Sequence, residues 1–382
     1  MSKVFVTYNS IISPLGFDSE MVARNIKNKV SGISLVEDKN RFHKPFYGSV
    51  INQDLLNSHF RKLNNSEDYT TLEKMMLLCL NDVITNSGIK IDESVGLIIS
   101  TTKGNIDALD DENPFPKSHA YLSRLGQVLK DYFSFQSQPT ILSNACVSGL
   151  LAVATAKKFI EEGLYKSVLI VSGDLVSKFV LSGFNAFQAM SNAPCKPYSK
   201  DRNGINLGEA IASVLVTSNE KFLNETTVEI LGEATCNDAN HISGPSRTGE
   251  GLYRSVKTAI QEAEIEANNI NYISAHGTAT IFNDEMEAIA FHRLGLTHTP
   301  LNSLKGYFGH TLGSSALVET IVGMHSLNQN ILFTSKGFTT LGVSKPLQII
   351  EQIEKKDLNI FLKTASGFGG CNTAMLFKKV AN

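Results

Sequence analysis

The sequence predicts an α/β protein made of two closely packed halves, and three observations support this. Apolar, β-branched runs recur along the chain, at Val95 to Ser100 (VGLIIS), Ser167 to Gly173 (SVLIVSG) and Glu209 to Thr217 (EAIASVLVT). Such uninterrupted runs fit strands covered on both faces, where neither side needs polar residues. Segments with helical spacing alternate with them, and no Pro/Ser-rich linker divides the chain, so the halves pack together rather than hang as separate beads. Of the 382 residues, 42% are hydrophobic and 19% charged, enough apolar material for a large core and too little charge for disorder.

The elements follow in order. Lys3 to Tyr8 reads as a strand, and Ser19 to Lys29 as a helix with Met21, Val22 and Ile26 on one stripe. Residues 31–65 are polar and carry no clear period. Glu73 to Ile84 is helical and apolar nearly all round, and residues 101–117, rich in Asp, Asn and Pro, read as a surface excursion. Residues 139–143 form a short strand, followed by a tight turn at Asn144 to Gly149 and a helix to about Glu162. The second half restarts near Val228. Glu250 to Ala267 carries a helical stripe, Ile270 to Ala275 a strand, Gly313 to Leu327 a helix, and Leu358 to Thr364 a strand. A glycine turn at Gly367 to Gly370 and a last strand at Thr373 to Phe377 close the chain. The halves are set at 1–222 and 223–382.

Thirty-five basic against 37 acidic residues leave a net charge of −2, so no global field favours nucleic acid. Five cysteines are widely spaced, without a CxxC pair or clustered histidines, which argues against a disulfide framework and a zinc site. No stretch reaches the ~18 apolar residues of a membrane span, and the start lacks a signal-peptide core. These features predict a reduced cytoplasmic protein with no metal and no bound cofactor.

Cys146 lies between a strand and a helix, where free backbone N–H groups and the helix dipole can stabilise a thiolate. A free cysteine is more often a small buried hydrophobe; Ser148 and Gly149 tilt this one, because they let a helix begin directly behind the sulfur. His276 and His310 each stand beside small residues that let a ligand approach, unlike His292, His298 and His325, which read as turn or surface histidines. Gly367-Phe368-Gly369-Gly370 can bring backbone N–H groups to a substrate oxygen, although a plain glycine turn would look the same. Neither GxxxxGK[ST] nor a strand-linked GxGxxG is present, so nucleotide binding is set aside.

Taken in order, these motifs resemble the β-ketoacyl-acyl carrier protein synthases, decarboxylating condensing enzymes of the elongating type with a thiolase-like fold. NACVSG (144–149) resembles the nucleophile turn, AHGTAT (275–280) with Asn283, Asp284 and Glu287 the first histidine motif, and SLKGYFGHTLG (303–313) the second. SGFGGCN (366–372) is similar to the family's gating loop, and residues 196–210 to its Arg-Pro-Phe-Asp segment. The resemblance implies a layered α-β-α-β-α unit. It implies Cys146 as acyl carrier, His276 and His310 as donors to a thioester oxygen, and an oxyanion site at the N–H groups of Cys146 and Phe368, with Gly367 and Gly369 shaping the gate. Lys305 and Glu319 would tune the histidines, and Asp284 and Glu287 would brace the His276 loop. Departures occur at Val147, Ala279, Ser199, Asn203, Ser366 and Cys371; none removes a reacting group.

The implied reaction joins a Cys-bound acyl group to malonyl carrier protein with loss of carbon dioxide, in fatty acid, polyketide or aryl-polyene assembly. The substrates ride on the phosphopantetheine of an acyl carrier protein, so no separate cofactor is implied. A homodimer, or a heterodimer with a ketosynthase-like subunit, is expected, with Arg61, Lys62, Lys196 and Lys200 as candidate carrier contacts. Two alternatives stand beside this reading. A non-catalytic chain-length factor would usually lack the nucleophile. A thiolase would carry a late cysteine before its glycines, whereas Cys371 follows them.

Overall fold

The computed structural model describes residues 3–64, 68–238 and 244–380. Among them, eleven strands form one mixed sheet in the order Gln348–Ile349, Pro300–Asn302, Tyr272–Ser274, Ile360–Gly367, Cys371–Lys379, Val228–Asn237, Phe5–Ile12, Ala210–Thr217, Ser167–Asp174, Val95–Ser100, Thr140–Leu142. The centre is a seam of two residue pairs, Phe5 with Glu229 and Val6 with Val228.

With the two-residue edge strand Gln348–Ile349 set aside, five strands on each side of that seam repeat one topology. In each half the first strand in sequence is innermost, the third outermost, and the fourth and fifth fill the space between. The outer three strands run parallel and the inner ones antiparallel. Equivalent strands therefore end in equivalent places. Cys146 follows the third strand of the first half, and the loop carrying His310 follows the third strand of the second.

The continuous apolar runs are explained by layering. Val168 and Ile170 join a central core with the helices Ser148–Glu161 and Ser315–Gln329, while Leu169 and Val171 face an outer core with the helix Thr71–Ser87. On the other half, Phe361 and Ala365 point to the central helices, and Leu362 and Ile360 to an outer core that holds Leu252, Val256 and Met286. The result is an α-β-α-β-α stack. The two central helices have a sheet on either side, which is why neither is amphipathic: every residue from Ser315 to Leu327 is buried.

Differences from the sequence expectation lie mainly in polar segments. Within 31–65, whose last residue lies outside the described residues, the chain forms a small hairpin, Ser34–Val36 with Phe46–Ser49, and a helix, Gln53–Leu63. That helix buries only Leu56 and Phe60, too thin a stripe to read in sequence. Helices Leu122–Phe133, Lys178–Ala186 and Ile281–Arg293 were also not anticipated. The surface excursion holds two short 3-10 turns, Ile106–Leu109 and Lys117–Ala120.

The central helices touch at Gly149. A Cβ there would stand 2.9 Å from the Gly313 carbonyl oxygen and 3.0 Å from the Leu317 amide nitrogen. These are backbone atoms that cannot swing aside, so Gly149→Ala is expected to force the helices apart at about 1–3 kcal/mol. Thermal unfolding should drop by a few degrees, and because each helix begins just after a candidate residue, acylation of Cys146 should slow in parallel.

Candidate active site

The turn before the central helix is built around Cys146. Ala145 takes a left-handed φ of 44°. Ser148 closes the turn: its hydroxyl accepts from the Asn144 N–H at 2.8 Å and donates to the Ala145 carbonyl at 2.7 Å. Val147 points into the central core, so this departure from the family pattern serves packing. Gly367 lies close by, with the point a Cβ would occupy 3.0 Å from the Cys146 amide nitrogen and 2.9 Å from the Cys371 sulfur. The Phe368 N–H faces the Cys146 sulfur as a hydrogen-bond donor.

The two histidines converge on this sulfur. His310 Nε2 lies 3.0 Å from Cys146 Sγ, the imidazoles sit edge to face with centroids 5.2 Å apart, and a ligand atom from each of Cys146, His276 and His310 falls within 4.8 Å of the others. The Leu312 N–H donates to His310 Nδ1 at 3.1 Å, so Nδ1 is an acceptor and Nε2 bears the proton. Lys305 Nζ lies 3.5 Å from His276 Nδ1, which favours the same tautomer there. Burial, reinforced by Lys305 and Lys363, lowers both histidines well below the ordinary value. They are neutral N–H donors at physiological pH. A thiol and two imidazoles this close have the composition of a soft-metal site, but protonated Nε2 atoms and an ammonium neighbour arrange them for an anion instead.

Behind the histidines lies a buried ionic ladder. Glu319, on the second central helix, accepts from Lys305 at 2.6 Å, from Lys363 at 2.7 Å and from the Ser315 hydroxyl at 3.1 Å. Burial pushes its carboxyl up, but the two ammonium groups outweigh this and hold it below its usual value. Lys363 was not anticipated. In LNIFLKT it reads as a solvent-facing strand lysine, yet it is fully buried.

Glu287 and Asp284 grip the His276 loop. Glu287 accepts from the N–H groups of His276 and Gly277 at 2.9 and 2.7 Å and from the Tyr198 hydroxyl at 2.9 Å. Asp284 accepts from the N–H groups of Thr278 and Tyr198 and lies 3.7 Å from Arg202. Burial raises Glu287, and it raises Asp284 to about 7. Residues 196–210 thus brace both histidine loops, since the Asn206 carbonyl accepts from the His310 N–H and the Gly208 N–H donates to the His310 carbonyl. Asp174 was also missed. Wholly buried at a strand end, it joins the halves by accepting from the N–H groups of Thr102 and Gly313 and the hydroxyl of Thr101.

A cavity of about 420 Å³ opens above these groups, and its lining includes Cys146, His276 and His310 along with Phe184, Phe187 and Met286. The Phe368 ring, 39% exposed, stacks on Phe184 at 5.7 Å and meets Phe187 edge-on at 5.4 Å. Gly369 and Gly370 follow with positive φ, and the loop is tied down by Asn372, which accepts from the Ser366 hydroxyl and donates to Asp238. None of Arg61, Lys62, Lys196 or Lys200 lines the cavity; Lys196 is paired with Asp201, and the other three are exposed.

The expected thiolate stabilisation is outweighed in the free site. Burial pushes the Cys146 thiol up to about 12, Cys371 adds to the rise, and Lys305 and the Phe368 N–H oppose it. Well below its pKa the thiolate fraction grows tenfold per pH unit. Alkylation of Cys146 by iodoacetamide should therefore climb with a slope near one from pH 7 to 9, read by intact-protein mass spectrometry; a plateau near pH 8 would contradict this.

Comparison with known proteins bears on the whole chain. The beta-ketoacyl synthase N-terminal domain pattern matches residues 1–221, and the C-terminal domain pattern residues 227–339. A putative mitochondrial 3-oxoacyl-[acyl-carrier-protein] synthase of Schizosaccharomyces pombe is 24% identical, covering 99% of each chain. 3-Oxoacyl-[acyl-carrier-protein] synthase 2 of Staphylococcus aureus strain COL is 23% identical over 99% of this chain and 98% of that one. Among solved structures, the ketosynthase (ApeO) in complex with its chain length factor (ApeC) from Xenorhabdus doucetiae superimposes with a TM-score of 0.87 at 22% identity, over 99% and 98% of the two chains. With its repeated α/β halves in a thiolase-like fold and its Cys-His-His cluster, the chain belongs to the beta-ketoacyl synthase family.

Proposed function

We propose that the protein is a 3-oxoacyl-[acyl-carrier-protein] synthase that extends a Cys146-bound acyl group with malonyl carrier protein. The observation that carries this reading is the convergence of one thiol and two imidazoles, both held as Nε2–H donors, at the floor of one cavity. A non-catalytic partner subunit would have no use for it.

In the first half-reaction the Cys146 sulfur attacks the thioester carbonyl of the acyl carrier. The oxyanion is held by the N–H groups of Cys146 and Phe368, the pantetheine thiol leaves with the proton of Cys146, and the acyl group stays on the sulfur. Malonyl carrier protein then enters. The Nε2–H groups of His276 and His310 bond its thioester oxygen, so that when the C–C bond to the carboxylate breaks and carbon dioxide departs, the electron pair is held as an enolate. That carbanion attacks the Cys146 thioester, and the resulting 3-oxoacyl chain leaves on the carrier. As the sulfur is expelled, the His310 Nε2–H donates to it. The acyl chain occupies the cavity lined by Phe184, Phe187 and Phe368, with Phe368 as its gate.

The partners follow from the same reading. A carrier protein delivers both substrates. Among the described residues, the strand Thr140–Leu142 ends the sheet with one edge unpaired, only half-buried, directly before the nucleophile turn. An open edge beside the site calls for cover, which supports a dimer with a second copy or a related subunit. No helix among the described residues is long and apolar enough to cross a membrane, which is compatible with carrier proteins in the cytoplasm.

Cys146→Ala is expected to abolish both the acyl adduct and the condensed product, with acyl and malonyl carrier proteins as donors and mass spectrometry as readout. Unchanged product would overturn the assignment. His276→Ala should still form the acyl adduct, but release of carbon dioxide from malonyl carrier protein should fall about 10²–10³-fold, the loss typical of removing one oxyanion donor.

A further inference from the structure

We infer that Lys363 is a positioning residue for the two histidines, setting the charge balance that keeps both neutral while negative charge builds on the substrate. The inference rests on the condensing-enzyme reading and deepens it. Lys363 is fully buried on the strand Ile360–Gly367 and is not among the residues lining the cavity. Its ammonium donates to Glu319 Oε2 at 2.7 Å and to the carbonyls of Ser274, Ala275 and Thr364 at 3.1, 3.4 and 2.8 Å. Two of those carbonyls belong to the residues immediately before His276. One side chain thus holds the backbone entering the first histidine loop and, through Glu319 and Lys305, reaches the Nδ1 side of the His276 ring.

The charges around the histidines explain why a second lysine is needed. Two buried carboxylates flank the pair: Glu319 from the second central helix and Glu287 from the helix Ile281–Arg293, which also carries Asp284 against Arg202. Lys305, on the segment before His310, is one ammonium facing them, and Asp174 lies across at Gly313 on the far side of that loop. With Lys305 alone, Glu319 and Glu287 would leave an excess negative charge in a dry interior, where an unbalanced charge acts strongly. That excess would favour imidazolium and oppose an enolate. Lys363 offsets one of these carboxylates: burial lowers its own proton affinity, the contact with Glu319 works against that, and its ammonium lowers the proton affinity of both rings.

The test uses the full-length protein and compares Lys363→Met, Glu319→Gln and the double variant, recording malonyl carrier-protein decarboxylation against pH, with Cys146 acylation and thermal unfolding measured alongside. Removing the lysine deletes a positive charge, so the histidines gain protons more easily. The acid limb of decarboxylation should move to higher pH by about one unit or more. Removing the carboxylate should move it to lower pH, and the double variant should fall between the two. Opposite shifts cannot arise from loosened packing, which would lower activity at every pH. Acid limbs that coincide in all three variants and the wild type, or that shift in the same direction in both single variants, would overturn the inference. Should Lys363→Met fail to fold, Glu319→Gln and the double variant still differ by one charge and must still separate in the stated order. A wild type that releases no carbon dioxide would overturn the condensing reading itself, an outcome distinct from active enzymes with unmoved limbs.

Discussion

The close approach of the two central helices at Gly149 is the constraint on which the rest depends. Each helix is the first long one after the third strand of its half, the second preceded only by the single turns Lys305–Phe308 and Leu312–Ser314, so the duplicated topology puts both helix starts at the same end of the stack. Packing them with backbone atoms near van der Waals contact brings the turn before one against the loop before the other. Cys146 and His310 meet because their helices do. Hydrogen bonds from Ser172 and Gly313 to opposite halves, the first reaching the Gly313 carbonyl and the second Asp174, fix that meeting along the strand ends.

Burial then decides the electrostatics. Charged groups so deep in a protein carry a large desolvation penalty and persist only with partners and hydrogen bonds. The ladder Lys363–Glu319–Lys305 meets that condition with short contacts at every step. The same dryness suppresses ionisation of the groups that react, so the free site holds a thiol and two neutral imidazoles. Charge is absent from the reacting atoms and concentrated one layer behind them. An oxyanion or enolate entering the cavity therefore meets oriented N–H donors and does not compete with ions already on the floor.

This two-layer arrangement also explains what could be read from sequence. The reacting groups sit on short turns between regular elements, where small residues and glycines mark a close approach, so Cys146, His276, His310 and the Phe368 loop stand out in order along the chain. The layer behind them carries no such mark. Lys363 lies in a strand whose other residues alternate between two cores, and its burial depends on Glu319, 44 positions away in sequence. Asp174 ends an apolar run, and Tyr198 and Arg202 sit in a polar segment. Each is recognisable only through partners supplied by distant chain. Among the helices that escaped notice, Gln53–Leu63 is anchored by only two buried residues, with Leu63 half-buried against the same core.

Backbone strain gathers at the same turns. Ala145, Ala279 and Leu312 all adopt left-handed φ values of 44°, 61° and 54°, each within three residues of Cys146, His276 or His310. A residue with a Cβ in that region costs about 1–2 kcal/mol relative to its ordinary conformation, so three together are not neutral features of loops. At Leu312 the benefit is visible in geometry. Its left-handed conformation turns the N–H back onto His310 Nδ1, and that bond alone decides which ring nitrogen carries the proton. With the proton on Nδ1, the ring would present a lone pair to the sulfur and no donor to the substrate oxygen. The tautomer needed for stabilising negative charge is thus written into the backbone of the turn after the histidine, held there by the packing of the helix that follows.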